Sequence, residues 1–474
     1  MFKNFKTLFG AQDMTVGSPF SCLLKFAIPL LIGNMAQLLY TSADAAVVGN
    51  FMGAQGDAAL AAIGTSMPIY NLFLVLFIGI GSGVTVMVSQ YFGAREYEKL
   101  GESIGNSITL IALVSVAITA IATPLVGNVL HLIKAPSEMY GLAKTYLQIL
   151  FIGAAANGFY NIMSGILRGL GESVFPLLVL LGTVVLNVGL DILFVAVFSM
   201  GVAGAAWATV ISQILSAIIC LFKVLTMKDV VKIKLRMLKL KGKIVAQFMH
   251  LGIPNAISMA IVFGATIIVQ ALVNKMGLTV ATALTVTMRV DSFAILPSHT
   301  FSMVASTFTG QNIGAGDMDR VNKGSKTVFM MCGVFTLTMV AAMMLFGRFM
   351  IGLFTQTEEI INMGKQFITI MCPAYLAMVI NQSLSGVMRG AGDSMGPMWI
   401  AMFTNVILRV PLVYIIAYFT RSETHPHGAP TSIFYALLIA MLCGAVVTFA
   451  YFKAGKWRTK AITQRKDAPI IELA

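Results

Sequence analysis

The segment Gly165-Ile-Leu-Arg-Gly-Leu-Gly-Glu-Ser-Val-Phe-Pro176 recurs 221 residues later as Gly386-Val-Met-Arg-Gly-Ala-Gly-Asp-Ser-Met-Gly-Pro397. Six of the twelve positions are identical, and three more are the close exchanges Ile/Val, Leu/Met and Glu/Asp. Gln90…Gly93-Ala94 and Gln311…Gly314-Ala315 stand at the same offset. A period of nearly half the chain is a duplication and not the short repeat of a solenoid. The fold must therefore be built from two copies of one unit.

Each copy is written in long apolar runs. Of 474 residues, 58% are hydrophobic and 11% charged, where a soluble protein carries roughly 25% charged residues. A spanning helix needs about 20 apolar residues. Such runs lie near 26–49, 60–88, 104–123, 143–164, 175–198, 203–224, 248–273, 282–308, 326–346, 366–386, 396–418 and 431–452. They predict an all-α polytopic membrane protein with about twelve spans, six in each half. The runs are too long and continuous for the alternating strands of a β-barrel. The expected division is an N-terminal lobe over 1–225, a basic linker over 226–247, a C-terminal lobe over 248–453 and a tail over 454–474.

The net charge is +13, and its placement argues against a nucleic-acid role. With both termini and the even-numbered loops on one side, that side holds the clusters in 223–243 and 453–466 and many single cations. The other side holds only Lys134, Lys144, Lys275, Arg348, Lys365 and Arg421. The bias predicts cytoplasmic termini. It also reads Lys228–Lys243 as a linker lying against anionic headgroups. The five cysteines are scattered and read as small apolar fillers. No apolar stretch with a cleavage site opens the chain, so no removable signal peptide is expected. Gly324-Ser325-Lys326-Thr327 has the wrong order for a phosphate-cradling loop, so no nucleotide engine is read here. No catalytic or cofactor motif is present either. A duplicated half in so apolar a chain points to secondary transport rather than to an enzyme.

Ionisable groups inside lipid are costly and mark function by default. Asp44 falls in span 1, Asp191 in span 5, Asp291 beside Arg289 in span 8, and Arg409 in span 11. Asp44 shares a helical face with Gln37 and Tyr40, and Pro29 upstream offers a hinge. Asn187 and Asp191 are one turn apart, as are Asn157 and Asn161 in span 4 and Thr209 and Gln213 in span 6. All of these belong to the first half. Aligning Pro29 with Pro254 sets Asp44 opposite the uncharged Val269 and Gln270, and Arg409 lies near the counterpart of Asp191. The duplication thus keeps the scaffold and not the chemistry. Carboxylates with amide and hydroxyl neighbours suit a small hard cation, and a buried carboxylate alone suits a proton. The plainer alternative makes Asp44 and Asp191 buried hydrogen-bond anchors, and makes Asp291 the partner of Arg289 or of a neighbouring helix. Gln37, Tyr40, Asn157, Asn161, Gln213, Gln270 and Asp291 are further candidates for a substrate path.

Several segments together carry a resemblance. They are Pro29 through Asp44-Ala-Ala-Val-Val-Gly49, Ala59-Leu-Ala-Ala-Ile-Gly64, the two paired repeats, Asn187-x-x-x-Asp191 and Arg409-Val-Pro411. Over essentially its whole length the chain resembles the multidrug and toxic compound extrusion (MATE) transporters, most of all their MepA-like group. The resemblance implies two six-helix lobes related by a pseudo-twofold axis along the membrane normal. It implies a multi-pass protein of the bacterial plasma membrane, functional as a monomer, that exports organic cations by antiport with H⁺ or Na⁺ and has no other cofactor. It maps a cation-coupling site onto Asp44, Asn187, Asp191 and Thr209, which would be the ligands if the ion is Na⁺. Some branches add an acid in span 7; here 248–273 has none, so no second-lobe site is carried over. A lipid-linked precursor flippase is the alternative for such a two-lobe chain, and three intramembrane Asp against two Arg weigh against it.

Overall fold

The computed structural model describes residues 10–51, 56–133, 136–228, 230–231, 233–423 and 425–463, and the backbone alone for 38–51, 56–58 and Glu138. Among the described residues every regular element is a helix. In chain order they are α1 (Pro19–Phe51), α2 (Gly56–Gly93), α3 (Tyr97–Leu132), α4 (Ser137–Ile152), α5 (Ala154–Gly169), α6 (Val174–Asp191) and α7 (Gly201–Thr226). They continue as α8 (Gly242–Met276), α9 (Leu278–Ala315), α10 (Met318–Gly352), α11 (Glu358–Gly390), α12 (Met395–Met402), α13 (Val410–Phe419) and α14 (Ser432–Lys453). Eleven helical spans are long and apolar enough to cross a bilayer, and the bent pair α4–α5 makes a twelfth, in line with the expected number. The chain divides into two compact units, one of 1–14 and 28–256 and one of 15–27 and 257–474.

One expected span is sharply bent between two helices. The run 143–164 is bent by 47° between α4 and α5. The break falls at Gly153, where an added Cβ would lie 2.3 Å from Val210 of α7. Only glycine lets α7 approach this closely.

The duplicated segment has the same structural meaning in both units. A Cβ on Gly165 would lie 3.0 Å from the Gly81 carbonyl, and one on Gly386 would lie 2.3 Å from the Ser302 carbonyl. Gly169 faces the Thr85 carbonyl as Gly390 faces that of Ser306. These glycines thus bring α5 onto α2 in one unit and α11 onto α9 in the other. Each segment then ends its helix alike. The Glu172 amide donates to the Leu167 carbonyl at 2.8 Å, and the Asp393 amide to the Met388 carbonyl at 2.9 Å. Gly171 and Gly392 take the left-handed φ that this helix-end bond requires, +81° and +97°. The acid that follows caps the next helix: Glu172 accepts from the Phe175 amide at 3.0 Å, and Asp393 from the Gly396 amide at 3.0 Å. Burial pushes the Glu172 carboxyl above the usual carboxylate range, against the pull of its two amide donors.

The second pair of repeats ends less symmetrically. Gly316 closes α9 with φ +79°, but its counterpart after α2 is Arg95, held at φ +58°. A non-glycine residue in this region costs about 1–2 kcal/mol. The Arg95–Asp13 ion pair is long, 3.8 Å, and exposed, so it offsets little. Arg95→Gly is expected to stabilise the first unit by about 1 kcal/mol, read as a higher thermal midpoint in detergent; an unchanged or lower midpoint would contradict this.

The basic linker is tied to the first unit by its backbone. Lys234, Arg236 and Lys239 are exposed, but the segment around the short 3₁₀ turn Leu235–Leu238 is bound to α3. Asn106, fully buried, donates to the Met237 carbonyl at 3.0 Å and accepts from the Lys241 amide at 2.7 Å. Thr109 donates to the Leu238 carbonyl at 2.6 Å. Lys241 pairs with Glu102 and Arg236 with Glu98. A Cβ on Gly105 would fall 2.5 Å from the Met237 carbonyl, so helix and linker touch backbone to backbone. Asn106→Ala leaves the buried Met237 carbonyl unpaired, at about 1–3 kcal/mol, and frees the part-buried Lys241 amide. It is expected to release the linker, and limited proteolysis between 228 and 241 should quicken; equal cleavage rates would count against the clasp.

Candidate ion-binding site

Five residues of α6 are buried: Pro176, Val179, Thr183, Asn187 and Asp191. They recur every three or four residues and form one stripe, whose last three members are polar. On α7 the buried stripe includes Thr209, Ser212 and Ser216. The Ser216 hydroxyl lies 3.0 Å from that of Thr183, which fixes the register of this helix pair. One turn along α6 and one turn back along α7, Asn187 and Ser212 come level. A further turn brings Asp191 level with Thr209. Three of the four residues mapped as a cation site thus share one helix interface.

The interface is buried, and some of its polar atoms are unbonded. Asn187 is 1% exposed, Asp191 0% and Thr209 5%. Neither side-chain amide atom of Asn187 has a hydrogen-bond partner among the described residues, and the same holds for the Ser212 hydroxyl and the buried Gln213 carbonyl oxygen. A buried polar group left unbonded costs about 1–3 kcal/mol, and a cation would recover that cost at the oxygens of Asn187, Ser212 and Gln213, though not at the Asn187 nitrogen, which only donates. Directly after Asp191 the helix widens into a π-helical stretch, Ile192–Val197, an irregularity that gathers at functional sites. Sequence reading missed Thr183, Ser212 and Ser216. Their spacing from Thr209 on one face of α7, and from Asn187 on α6, was the available signal.

The other candidates are distributed as follows. Asp44 and Tyr40 lie outside the residues whose side chains are described. Gln37 is exposed and Pro29 is half-buried inside α1. Asn161 donates to the Asn157 side chain at 2.8 Å, so the two satisfy each other. Gln270, in the second unit, donates to Asn274 at 2.9 Å. Asp291 is buried and accepts from the Tyr375 hydroxyl of α11, whereas Arg289 is exposed. Among the described residues no three His, Cys, Asp or Glu side chains form a metal-binding group.

The second unit repeats the stripe with altered chemistry. Thr404 donates to the carbonyl of Ile400 as Thr183 does to that of Val179, at 2.8 and 2.9 Å. A π-helical stretch, Phe403–Arg409, then adds one residue. The buried positions that follow are Arg409 and Val413. Arg409 therefore occupies the place of Asn187, and Val413 that of Asp191. The Arg409 Nε has no hydrogen-bond partner among the described residues.

Duplicated lobes of spanning helices with buried polar residues are the build of a secondary transporter. The MatE family model matches residues 29–193 and 254–415, and the chain belongs to that family. It is 29% identical to the probable multidrug resistance protein YpnP of Bacillus subtilis (strain 168), over 96% of this chain and 100% of that one. It is 23% identical to the multidrug export protein MepA of Staphylococcus aureus (strain MRSA252), over 84% and 87% of the two chains. Among solved structures, a MOP superfamily transporter from Pyrococcus furiosus superposes with a TM-score of 0.87 at 23% identity, covering 94% of this chain and 97% of that one.

Proposed function

We propose that the chain exports lipophilic organic cations by alternating access, driven by entry of Na⁺ or H⁺ at Asp44, Asn187, Asp191 and Thr209. The observation that carries this reading is the buried, unbonded amide of Asn187 one turn from the buried Asp191. Gly33 of α1 supports the inclusion of Asp44. A Cβ there would lie 3.5 Å from Leu177 and 3.7 Å from Leu180 of α6. With spans 1 and 5 running the same way through the bilayer, eleven residues onward on both helices brings Asp44 level with Val188–Asp191. The working parts are the lobes 1–225 and 248–453 of a single chain in the bacterial plasma membrane, with both termini cytoplasmic.

In this mechanism the outward-open state loads the ion. Neutralising the carboxylates removes their attraction for a cationic drug, and span 1 bends at Pro29 as the drug leaves. Coupling exists only because ion and drug bind the two states differently. Gln37, Tyr40, Asn157, Asn161, Gln213, Gln270 and Asp291 would border the drug's path. The test is ethidium efflux from proteoliposomes under a Na⁺ gradient and a pH gradient imposed separately. Efflux under one gradient names the ion. Folded protein that moves ethidium under neither would overturn the proposal.

A further inference from the structure

A second site lies at the opposite end of the chain's chemistry, in a cleft between α12 and α14 of the second unit. It is a cavity of about 280 Å³ whose inner walls are Trp399, Phe403 and Val447 and whose rim is Asp393, Tyr451 and Lys460. Drug-sized ligands occupy pockets of about 300 Å³ and more, so this one suits a headgroup with the first part of a chain. Trp399 to Phe403 is one turn of helix, and so is Tyr451 to Val447. Both pairs run from the end of a span toward its interior. The cleft is thus polar at the membrane boundary and apolar toward the hydrocarbon. It opens to lipid: Trp399 is 61% exposed, and Met395–Phe419 is the least buried of the spans.

The two copies of the repeat differ at the cleft. Its position in the first copy is filled by Phe175, with Lys223 over the ring at 5.0 Å. The second copy has Gly396, where a Cβ would lie 2.5 Å from the Tyr451 ring. The absence of a side chain leaves room for Tyr451, whose hydroxyl donates to Asp393 at 2.8 Å. The other Asp393 oxygen accepts from the Gly396 amide at 3.0 Å. Both carboxylate oxygens are therefore engaged within the wall. Lys460 has no carboxylate partner among the described residues, and Lys453, Lys456 and Arg458 lie in the same short stretch. The rim itself is balanced, Asp393 against Lys460, and the positive surplus comes from Lys453, Lys456 and Arg458 in the adjoining stretch.

We infer that this cleft binds an anionic glycerophospholipid, its phosphate at Lys460 and the start of its acyl chain between Trp399, Phe403 and Val447. A Trp and a Tyr at the boundary with cations above them is the arrangement that anchors headgroups. The test titrates the purified full chain in mild detergent with palmitoyl-oleoyl phosphatidylglycerol and with the phosphatidylcholine of the same chains, counting bound lipid by native mass spectrometry. Phosphatidylglycerol is expected to be retained about tenfold better. Lys460→Glu, at an exposed position, and Val447→Trp, which fills the cavity, should each abolish that preference. Lys326→Glu, the same charge change on α10, should leave it intact. Equal retention of the two lipids would overturn the inference, as would a preference that survives both cleft variants. Displacement of phosphatidylglycerol by glycerol phosphate at equal concentration would overturn it too, leaving only an anion site.

Discussion

Asp191→Asn is expected to abolish ion-driven ethidium efflux while the protein stays folded. The carboxylate is 0% exposed, and the carboxamide that replaces it has the same shape. What is lost is one negative charge in a buried interface. Removing one partner of a buried ionic contact costs about 3–5 kcal/mol, which is roughly 10²-fold or more in cation occupancy. The thermal midpoint should hold or rise, because an amide is cheaper to bury than a carboxylate. Ser212→Ala deletes one neutral oxygen at the level of Asn187. It should weaken coupling only several-fold, since one neutral hydrogen bond is worth about 1 kcal/mol. Efflux by Asp191→Asn at the wild-type rate, under either gradient, would remove this interface from the mechanism.

The second large effect concerns the scaffold. Gly386→Ala is expected to destabilise the second unit by about 3 kcal/mol or more, beyond ordinary overpacking. Its Cβ would sit 2.3 Å from the Ser302 carbonyl oxygen and 2.9 Å from the Ser302 Cα. Both are backbone atoms, so no rotamer change relieves the clash. Gly165→Ala, at the matching position of the first unit, should cost clearly less. Its closest neighbour is the Thr85 hydroxyl at 2.9 Å, which can turn away, and its nearest backbone atom is at 3.0 Å. Gly264→Ala, with nothing within 4 Å, is the control. Folded yield by fluorescence-detected size exclusion would rank the three, and equal yields for Gly386→Ala and Gly165→Ala would refute the argument.

Much of this was legible in the sequence, for physical reasons that also explain what was not. Long apolar runs report spans because a bilayer demands about 20 such residues at a time. The close approach at Gly153 was hidden because its partner, Val210, is far away in sequence. The repeat announced the duplication, but not that its glycines face carbonyls, because close approach is a property of pairs. Asn187 and Asp191 stood out because charge and amide are rare in lipid. Thr183, Ser212 and Ser216 did not, because small hydroxyl residues are common in membrane helices, where they bond their own backbone. The linker's basic residues suggested headgroups, and only the fold could show that Asn106 holds its centre.

The single extra residue of the Phe403–Arg409 stretch bears on any attempt to build a second ion site by design. Counting along the sequence repeat, the residue matching Asp191 is Leu412. Counting by burial, it is Val413, at 0% exposure, because the widened turn has moved the frame on by one. A carboxylate written at Leu412 would therefore project from the wrong side of α13, while one at Val413 would stand one turn from the Arg409 guanidinium. The two lobes differ here in phase as well as in side chains. Recovering the first lobe's chemistry would take a deletion within 403–409 together with new side chains.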